Sequence, residues 1–240
     1  MNEIEPVDWF DHFSKPMLEK AQEHFYFDGK DISILDLACG KGFRTSFFNL
    51  ESGSIIVGID INAEQLKKAR KGVLYVNGDI ECLPFKDHSF DAIFSFSAMQ
   101  YVDWRSVVAK SEKLLKPNGK AVFVENLSGN IFAKVYRLIH RCLGWQYVSY
   151  QIPRKHIKFK ELSYFKSIFE QVEVTPFHFL TPVSLIVPAL RKGFLGKPLY
   201  VQSPNLYRAL NEVDKSLISR FPWLSQFCWH VAICVTKGKK

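Results

Sequence analysis

ILDLACGKGFRT, residues 34–45, contains one aspartate and two glycines at the point where a mostly apolar stretch ends and the next secondary-structure element is expected to begin. Residues 32–37 predict a short central strand of a parallel sheet, because apolar side chains occupy most of it. Gly40 and Gly42 let the backbone pass close to a ligand, since no Cβ stands in the way. A helix expected after the loop, as far as Leu50, would direct its unpaired N–H groups at the same place. The segment therefore predicts a loop that binds a small-molecule cofactor.

Acidic residues end the next two predicted strands. SIIVGID ends in Asp60, twenty positions after Gly40, and VLYVNGDI brings Asp79 to the end of the third strand. A carboxylate beside a glycine loop can accept hydrogen bonds from both hydroxyls of a ribose, as in a nicotinamide dinucleotide or in S-adenosylmethionine. Asp79 is not part of the dinucleotide fingerprint, and Thr45 stands where its third glycine would be. A pyrophosphate is therefore not expected.

Four segments between residues 30 and 126 resemble the class I S-adenosylmethionine-dependent methyltransferases, in particular the group that includes the quinone C-methyltransferases. They are, in order, DLACGKG, VGIDINAEQL, NGDIECLPFKDHSFDAIFSFSAMQYV and LKPNGKAVFVEN. The family commonly has a glycine where this chain has Ala38, although alanine is familiar there too. The resemblance implies an α/β, doubly wound, Rossmann-like fold with a seven-stranded, mostly parallel sheet, an antiparallel last strand and helical cap insertions. It implies S-adenosyl-L-methionine as the cofactor.

The resemblance also assigns roles to individual residues. The methionine end of the cofactor would be held by Asp36, Ala38, Gly40 and Gly42, the ribose by Asp60 with Ile61 on the adenine face, and the adenine amino group by Asp79 with Ile80 alongside. Phe96 and Met99, at the end of the fourth strand, would close the pocket near the sulfonium. Two alternatives remain open: Asp36 could merely cap the following helix, and Asp79 could be an ordinary turn aspartate.

The chain divides into three parts in sequence. Residues 1–29 predict a helical lid over the cofactor, with a plain packing helix as the alternative, and residues 30–240 form the methyltransferase domain. The turn at residues 116–119 introduces a fifth strand, AVFVEN; VEVTPFHFLT and CWHVAICVTKG supply the sixth and the antiparallel seventh. Two insertions, at about 127–160 and 181–224, are expected to cap the substrate side, because ligands bind beyond the carboxyl ends of the strands.

Composition favours a cytoplasmic enzyme. Of 240 residues, 47% are hydrophobic, which allows one sizeable core, and the acidic start MNEIEPVDWF lacks the features of a secretion signal. No apolar run approaches the roughly 20 residues that span a bilayer. The five cysteines are scattered without C-x-x-C spacing, which predicts reduced thiols and no metal site.

Charge is distributed unevenly along the chain. Residues 1–125 have a net charge of −4 and residues 126–240 a net charge of +12. Lys134, Arg137 and Arg141 recur at helical spacing in the first insertion, with apolar residues on another face. Such a helix suits a phosphorylated or lipid-linked acceptor, or an anionic membrane surface to which the protein would bind peripherally. The alternative is an ordinary solvated face.

The acceptor is the least specified part of the prediction. A sulfonium is already a good leaving group, so positioning is the main task and no general base is marked in the sequence. Tyr101 and Glu125, at strand-end positions, are the candidates for orienting the substrate. Residues 96–99 read FSAM and not the Asn-Pro-Pro-Tyr run of amino-methylating enzymes of nucleic acids, which argues against a nucleic-acid substrate.

The sequence therefore predicts a methyltransferase for a small molecule, a sugar or an isoprenoid-type lipid precursor, with an anionic acceptor among the options. The alternatives are a non-catalytic module that binds S-adenosylmethionine and an RNA or protein methyltransferase. A nicotinamide-dependent oxidoreductase is the least favoured of them.

Overall fold

The computed structural model describes residues 7–27, 31–48, 53–142, 155–186 and 204–239. Its centre is one seven-stranded sheet in the order β3-β2-β1-β4-β5-β7-β6. The strands are β1 Ser33–Leu37, β2 Ile55–Asp60, β3 Leu74–Asn77, β4 Phe90–Phe96, β5 Leu115–Asn126, β6 Gln171–Phe177 and β7 His230–Thr236. Strands β1 to β5 pair in parallel, whereas β7 is antiparallel to both β5 and β6. The predicted fold class is confirmed.

Helices cover both faces of the sheet. Those described are α1 Val7–His24, α2 Ala63–Lys67, α3 Trp104–Leu114, α4 Ile131–Cys142, α5 Ser163–Ile168 and α6 Pro204–Arg220. Alternating side chains of the strands point to opposite faces: Leu35 and Leu37 join a core with α3 and α5, and Ile34 joins a second core with α1. The sheet is therefore buried on both sides, as its apolar strands predict.

Two predicted helices are shorter than the sequence suggests. The glycine loop leads into a 3-10 turn, Thr45–Phe47, and residues 49–52 lie outside the described part. Helix α2 begins where the Asn62 side chain accepts from the N–H groups of Glu64 and Gln65, and ends at Lys67. None of its residues is buried. Without an apolar face to bury, little favours a longer helix here.

Helix α1 is partly a core element. Met17, Leu18 and Ala21 are buried against β1, β4, β5 and β7. Nearer its start, Phe13 packs on His178 and Tyr207, with ring centroids 4.6 and 4.8 Å away. The helix thus packs along the sheet towards the carboxyl end of β6, and a lid function for residues 1–29 stays a prediction.

The two insertions are joined to the sheet by buried polar side chains. Asn130 Nδ2 lies within hydrogen-bond distance of the carbonyls of His178, Phe179 and Phe227, and Asn130 Oδ1 accepts from the N–H of Ala133 in α4. Asp214 of α6 accepts from three successive backbone N–H groups, at residues 179–181. These contacts connect both insertions to the chain that follows β6. Parts of each insertion, residues 143–154 and 187–203, lie outside the described residues.

Within the described residues, no helix is both long and apolar enough to span a bilayer.

Candidate functional site

The glycine loop turns through left-handed backbone conformations after β1. Ala38, Gly40 and Gly42 have φ angles of 55, 54 and 72°. Glycine adopts such angles without strain, whereas an L side chain costs about 1–2 kcal/mol there. Ala38, where the family commonly has glycine, therefore carries some strain, and this loop needs small residues for conformational reasons alone.

The loop also packs closely on the neighbouring strands. A Cβ on Gly42 would collide with Tyr75 Oη of β3, and a Cβ on Gly58 of β2 would lie 2.7 Å from Cys39 Sγ. At Gly40 it would lie 2.9 Å from Gln65 Oε1. Tyr75 is a contact that the sequence analysis did not foresee, because no local pattern connects a mid-strand tyrosine to a loop more than thirty residues earlier.

Asp60 connects the loop to the end of β2. Its Oδ2 accepts from the N–H of Gly40 and its Oδ1 from the N–H of Asn62, both at 2.8 Å. Asn77, a second residue missed by the sequence analysis, donates from Nδ2 to the carbonyls of Asp60 and Ile61 at 2.9 and 3.0 Å. Ile61 itself is 59% exposed, so its side chain offers an apolar surface beside the carboxylate.

Asp36 lies beneath the loop. It is buried and accepts a hydrogen bond from Thr45 Oγ1, the third residue that the sequence analysis did not assign. Burial raises the pKa of Asp36 to about 7, although the Thr45 bond acts in the opposite direction. Asp36 thus holds the Thr45 side chain at the start of the 3-10 turn, and its contact with the methionine end stays a prediction.

Asp79 and Ile80 follow β3. Asp79 Oδ1 accepts from the N–H of Glu81 at 2.8 Å and so caps the 3-10 turn Ile80–Cys82. Ile80 is buried in the core that contains Leu37 and Ile59. Asp79 is half-buried and the Ile80 side chain is buried, and the adenine contacts assigned to the two residues stay predictions.

Glu125, at the carboxyl end of β5, supports the chain that follows β4. It is 1% exposed and accepts from Ser95 Oγ and from the N–H groups of Ala98 and Met99, at 3.2, 3.3 and 3.2 Å. Burial raises its pKa to about 8. Met99 is buried as well, whereas Phe96 and Tyr101 are partly exposed. Glu125 is thus buried beneath the chain that follows β4, and its contact with an acceptor stays a prediction.

The sheet order brings these residues together along one edge. Strands β3, β2, β1, β4 and β5 are neighbours in that order, so their carboxyl ends form a row of loops. The row carries Asp79, Asp60, the glycine loop, Phe96 and Glu125 in turn. Arg44 extends from the loop over the Phe96 ring, 4.0 Å from its centroid, which joins the β1 and β4 ends of the row. In the described residues no group of three His, Cys, Asp or Glu side chains could hold a metal ion.

The family model described as a methyltransferase domain matches residues 35–123. Malonyl-[acyl-carrier protein] O-methyltransferase of Hamiltonella defensa is 32% identical over 108 residues, covering 43% of this chain and 42% of that protein. The ubiquinone/menaquinone biosynthesis C-methyltransferase of Legionella pneumophila is 34% identical over 106 residues, covering 39% and 42%. The chain thus matches about two fifths of the length of these curated relatives.

Solved structures resemble the whole fold. Geranyl diphosphate methyltransferase in complex with S-adenosylmethionine superposes with a TM-score of 0.59 at 16% identity, covering 98% of this chain and 93% of that one. A methyltransferase from Archaeoglobus fulgidus gives 0.56 at 16% identity, covering 96% and 100%. Residues 35–123, which carry the glycine loop and the strand-end acids, thus match a methyltransferase domain, and the chain as a whole has the fold of S-adenosylmethionine-dependent methyltransferases.

Proposed function

We propose that the protein transfers the methyl group of S-adenosylmethionine to a small-molecule acceptor, a sugar or an isoprenoid-type lipid precursor. The observation that carries this proposal is the bond between Gly40 N–H and Asp60 Oδ2, which closes the glycine loop onto the strand-end acid of the neighbouring strand. The residues present fit the cofactor, because a carboxylate oxygen can accept two hydrogen bonds and each oxygen of Asp60 accepts one within the protein. A ribose hydroxyl can supply the second.

The cofactor, when bound, supplies an activated methyl group on a sulfonium. The protein's own residues would bind the cofactor and orient the acceptor. Asp60 would bind the ribose, Ile61 would cover one adenine face and Asp79 would accept from the adenine amino group. Phe96 and the Met99 segment would border the sulfonium end, and Glu125 would keep that segment in place from below. Tyr101 would orient the acceptor from the same stretch of chain. Positioning of this kind can account for a large part of the lowering of the methyl-transfer barrier, and it needs no strong base.

The acceptor class is supported by the relatives' names and by charge. One relative is named for a malonyl group on a carrier protein, another for quinones, and a structural neighbour for geranyl diphosphate. The half of the chain with net charge +12 begins at the carboxyl end of β5, next to the acceptor side. An acceptor with an apolar body and a negative group agrees with both observations. A cytoplasmic location, with peripheral binding to membranes, stays a prediction.

Labelled methyl transfer tests the proposal. The purified protein, incubated with radiolabelled S-adenosylmethionine and fractionated cell extract, should label a small-molecule or lipid fraction. Asp60→Ala should abolish the labelling while remaining folded by circular dichroism. Label found only in protein or RNA would favour the rival methyltransferase classes. Tight binding of S-adenosylhomocysteine in calorimetry with no labelled product would favour a non-catalytic binding module, and binding of NAD in its place would overturn the cofactor assignment.

A further inference from the structure

A cavity lies between α4 and the chain around Ile157. Among the described residues it is lined by Ser128, Lys134, Arg137, Leu138 and His156, and its volume is about 410 Å³. Small-molecule sites usually measure about 300–1,000 Å³. The lining contains two residues with permanent positive charge and no carboxylate. Its size and charge therefore suit the negatively charged portion of a small molecule.

The wall of this cavity is connected to the loop at the end of β4. Lys155, next to His156, donates its N–H to the carbonyl of Gln100, and Gln100 Nε2 donates to the carbonyl of Ser97, each at 3.2 Å. On the other side, Leu127 bridges Ile157 directly after β5. The cavity therefore adjoins the segment that carries Phe96 and Met99.

Arg137 is held in a fixed orientation. Its Nε donates to the carbonyl of Ala133 at 3.1 Å, and its Nη1 contacts His156 Nε2 at 2.8 Å. Because a guanidinium can only donate, His156 Nε2 must be the acceptor, and the proton of the neutral imidazole must be on Nδ1. That Nδ1 is buried and has no hydrogen-bond partner in the described part of the chain. Burial, and then Arg137, lower the pKa of His156 to about 4, in agreement with a neutral ring.

The surroundings are positively charged as well. Lys134 is exposed, and no carboxylate of the described residues lies within ion-pair distance of it. His230, at the end of β7, has its pKa lowered by burial first and then by His178, Arg137 and Arg44, so both arginines act on this edge of the sheet. A negatively charged ligand would therefore be attracted to the cavity rather than repelled from it.

We propose that this cavity binds the anionic group of the methyl acceptor, a phosphate or a carboxylate, through Arg137 and Lys134. The inference rests on the proposed methyltransferase function and specifies its substrate. Leu138, which lines the cavity and is 56% exposed, would contact an apolar body attached to that group. The acceptor is then an amphiphile whose negative end lies in the cavity while its methyl-accepting atom lies near the segment that follows β4.

Calorimetric titration with inorganic pyrophosphate tests the cavity without knowledge of the acceptor. Arg137→Gln should weaken binding about 10- to 100-fold, as expected for loss of a charge-assisted contact. Lys134→Gln, an exposed change that should leave the fold intact, should weaken it several-fold. Lys166→Gln, which removes the same charge from an exposed position on α5 outside the described lining of the cavity, should have no effect.

Binding of S-adenosylhomocysteine, measured on the same variants, separates this inference from the proposed function. All three variants should bind S-adenosylhomocysteine as the parent does. A parent that does not bind S-adenosylhomocysteine would count against the cofactor site and not against the cavity. Failure of the parent to bind pyrophosphate, or equal binding by Arg137→Gln, would overturn the cavity assignment.

Vesicles containing phosphatidylglycerol distinguish the source of the phosphate. If the cavity binds a lipid headgroup, free pyrophosphate should displace the protein from the vesicles and Arg137→Gln should weaken vesicle binding. If the parent binds pyrophosphate but vesicle binding is absent or responds to neither, the cavity takes the anionic group of a soluble acceptor.

Discussion

Replacing Asp60 by asparagine separates the two tasks assigned to this carboxylate. In the parent, one oxygen accepts from Gly40 N–H and the other from Asn62 N–H, both at 2.8 Å. An asparagine side chain has one acceptor oxygen and one NH₂ donor, so one of the two N–H groups must face a donor in either orientation. A buried N–H left without an acceptor costs about 1–3 kcal/mol. We expect the free energy of unfolding, from urea titration, to fall by that amount.

Cofactor binding should fall in the same variant. In the parent the two ribose hydroxyls would each donate a charge-assisted hydrogen bond to the Asp60 carboxylate, and the variant would lose one of them, worth about 1.5–3 kcal/mol. Calorimetry should therefore give an affinity for S-adenosylhomocysteine about 10- to 100-fold weaker.

Asp79→Asn is the matched control. Within the described part of the chain only its Oδ1 is engaged, with Glu81 N–H, and an asparagine can turn its oxygen to that position. Its stability should therefore match that of the parent, with a smaller loss of affinity than in Asp60→Asn. Parent-like stability and affinity in Asp60→Asn would refute the reasoning about this carboxylate.

Two further perturbations address the loop and the buried acid. Gly42→Ala should lower the free energy of unfolding by at least about 1 kcal/mol, because φ is 72° and the new methyl group would meet Tyr75 Oη. Adding Tyr75→Phe should recover part of this loss. Strictly additive losses in the double variant would contradict the contact. Burial raises the pKa of Glu125 from 4.5 to about 8, so the folded protein retains a proton that the unfolded chain releases, and the free energy of unfolding should decline between about pH 5 and 8. Glu125→Gln should remove that part of the decline in urea titrations at pH 5, 6.5 and 8, and an equal decline in the variant would show that another group causes it.

Local patterns in the sequence predict the sheet and its cofactor edge well. The parallel strands β1, β2 and β4 are short, mostly apolar runs, and glycines and acids that define the edge stand at or just after their ends. Gly40 and Asp60 are assigned from their strand-end positions and from the family resemblance, and the structure brings them into hydrogen-bond contact. The antiparallel β7 is also found at its predicted place, even though a long insertion separates it from β6.

How deeply each site residue is buried could not be predicted in the same way. Glu125 and Met99 lie at strand ends, as expected. The Glu125 carboxylate, however, lies beneath the chain that follows β4 and accepts a hydrogen bond from Met99 N–H. The direction of a side chain at a strand end depends on hydrogen bonds to residues distant in sequence, which no local pattern contains. Thr45, Tyr75 and Asn77 were missed for the same reason: each matters through contacts with another strand or loop.

The orientation of α4 is a third example. Its periodicity separates basic from apolar residues, and burial of the apolar stripe would be the ordinary outcome. In the structure Ala133 and Tyr136 are buried, while Ile131, Val135 and Leu138 are exposed. Asn130 explains the rotation, because its Oδ1 binds Ala133 N–H and so fixes the first turn of the helix against the chain after β6. That side of the helix brings Arg137 to the cavity.

The anchoring of both insertions at Asn130 and Asp214 limits how an acceptor can enter. A cap that opened as one rigid lid would have to break the contacts of two buried side chains at the same time, those of Asn130 with three carbonyls and those of Asp214 with three successive N–H groups. Movements that admit an acceptor are therefore expected to be local ones that leave Asn130 and Asp214 in place.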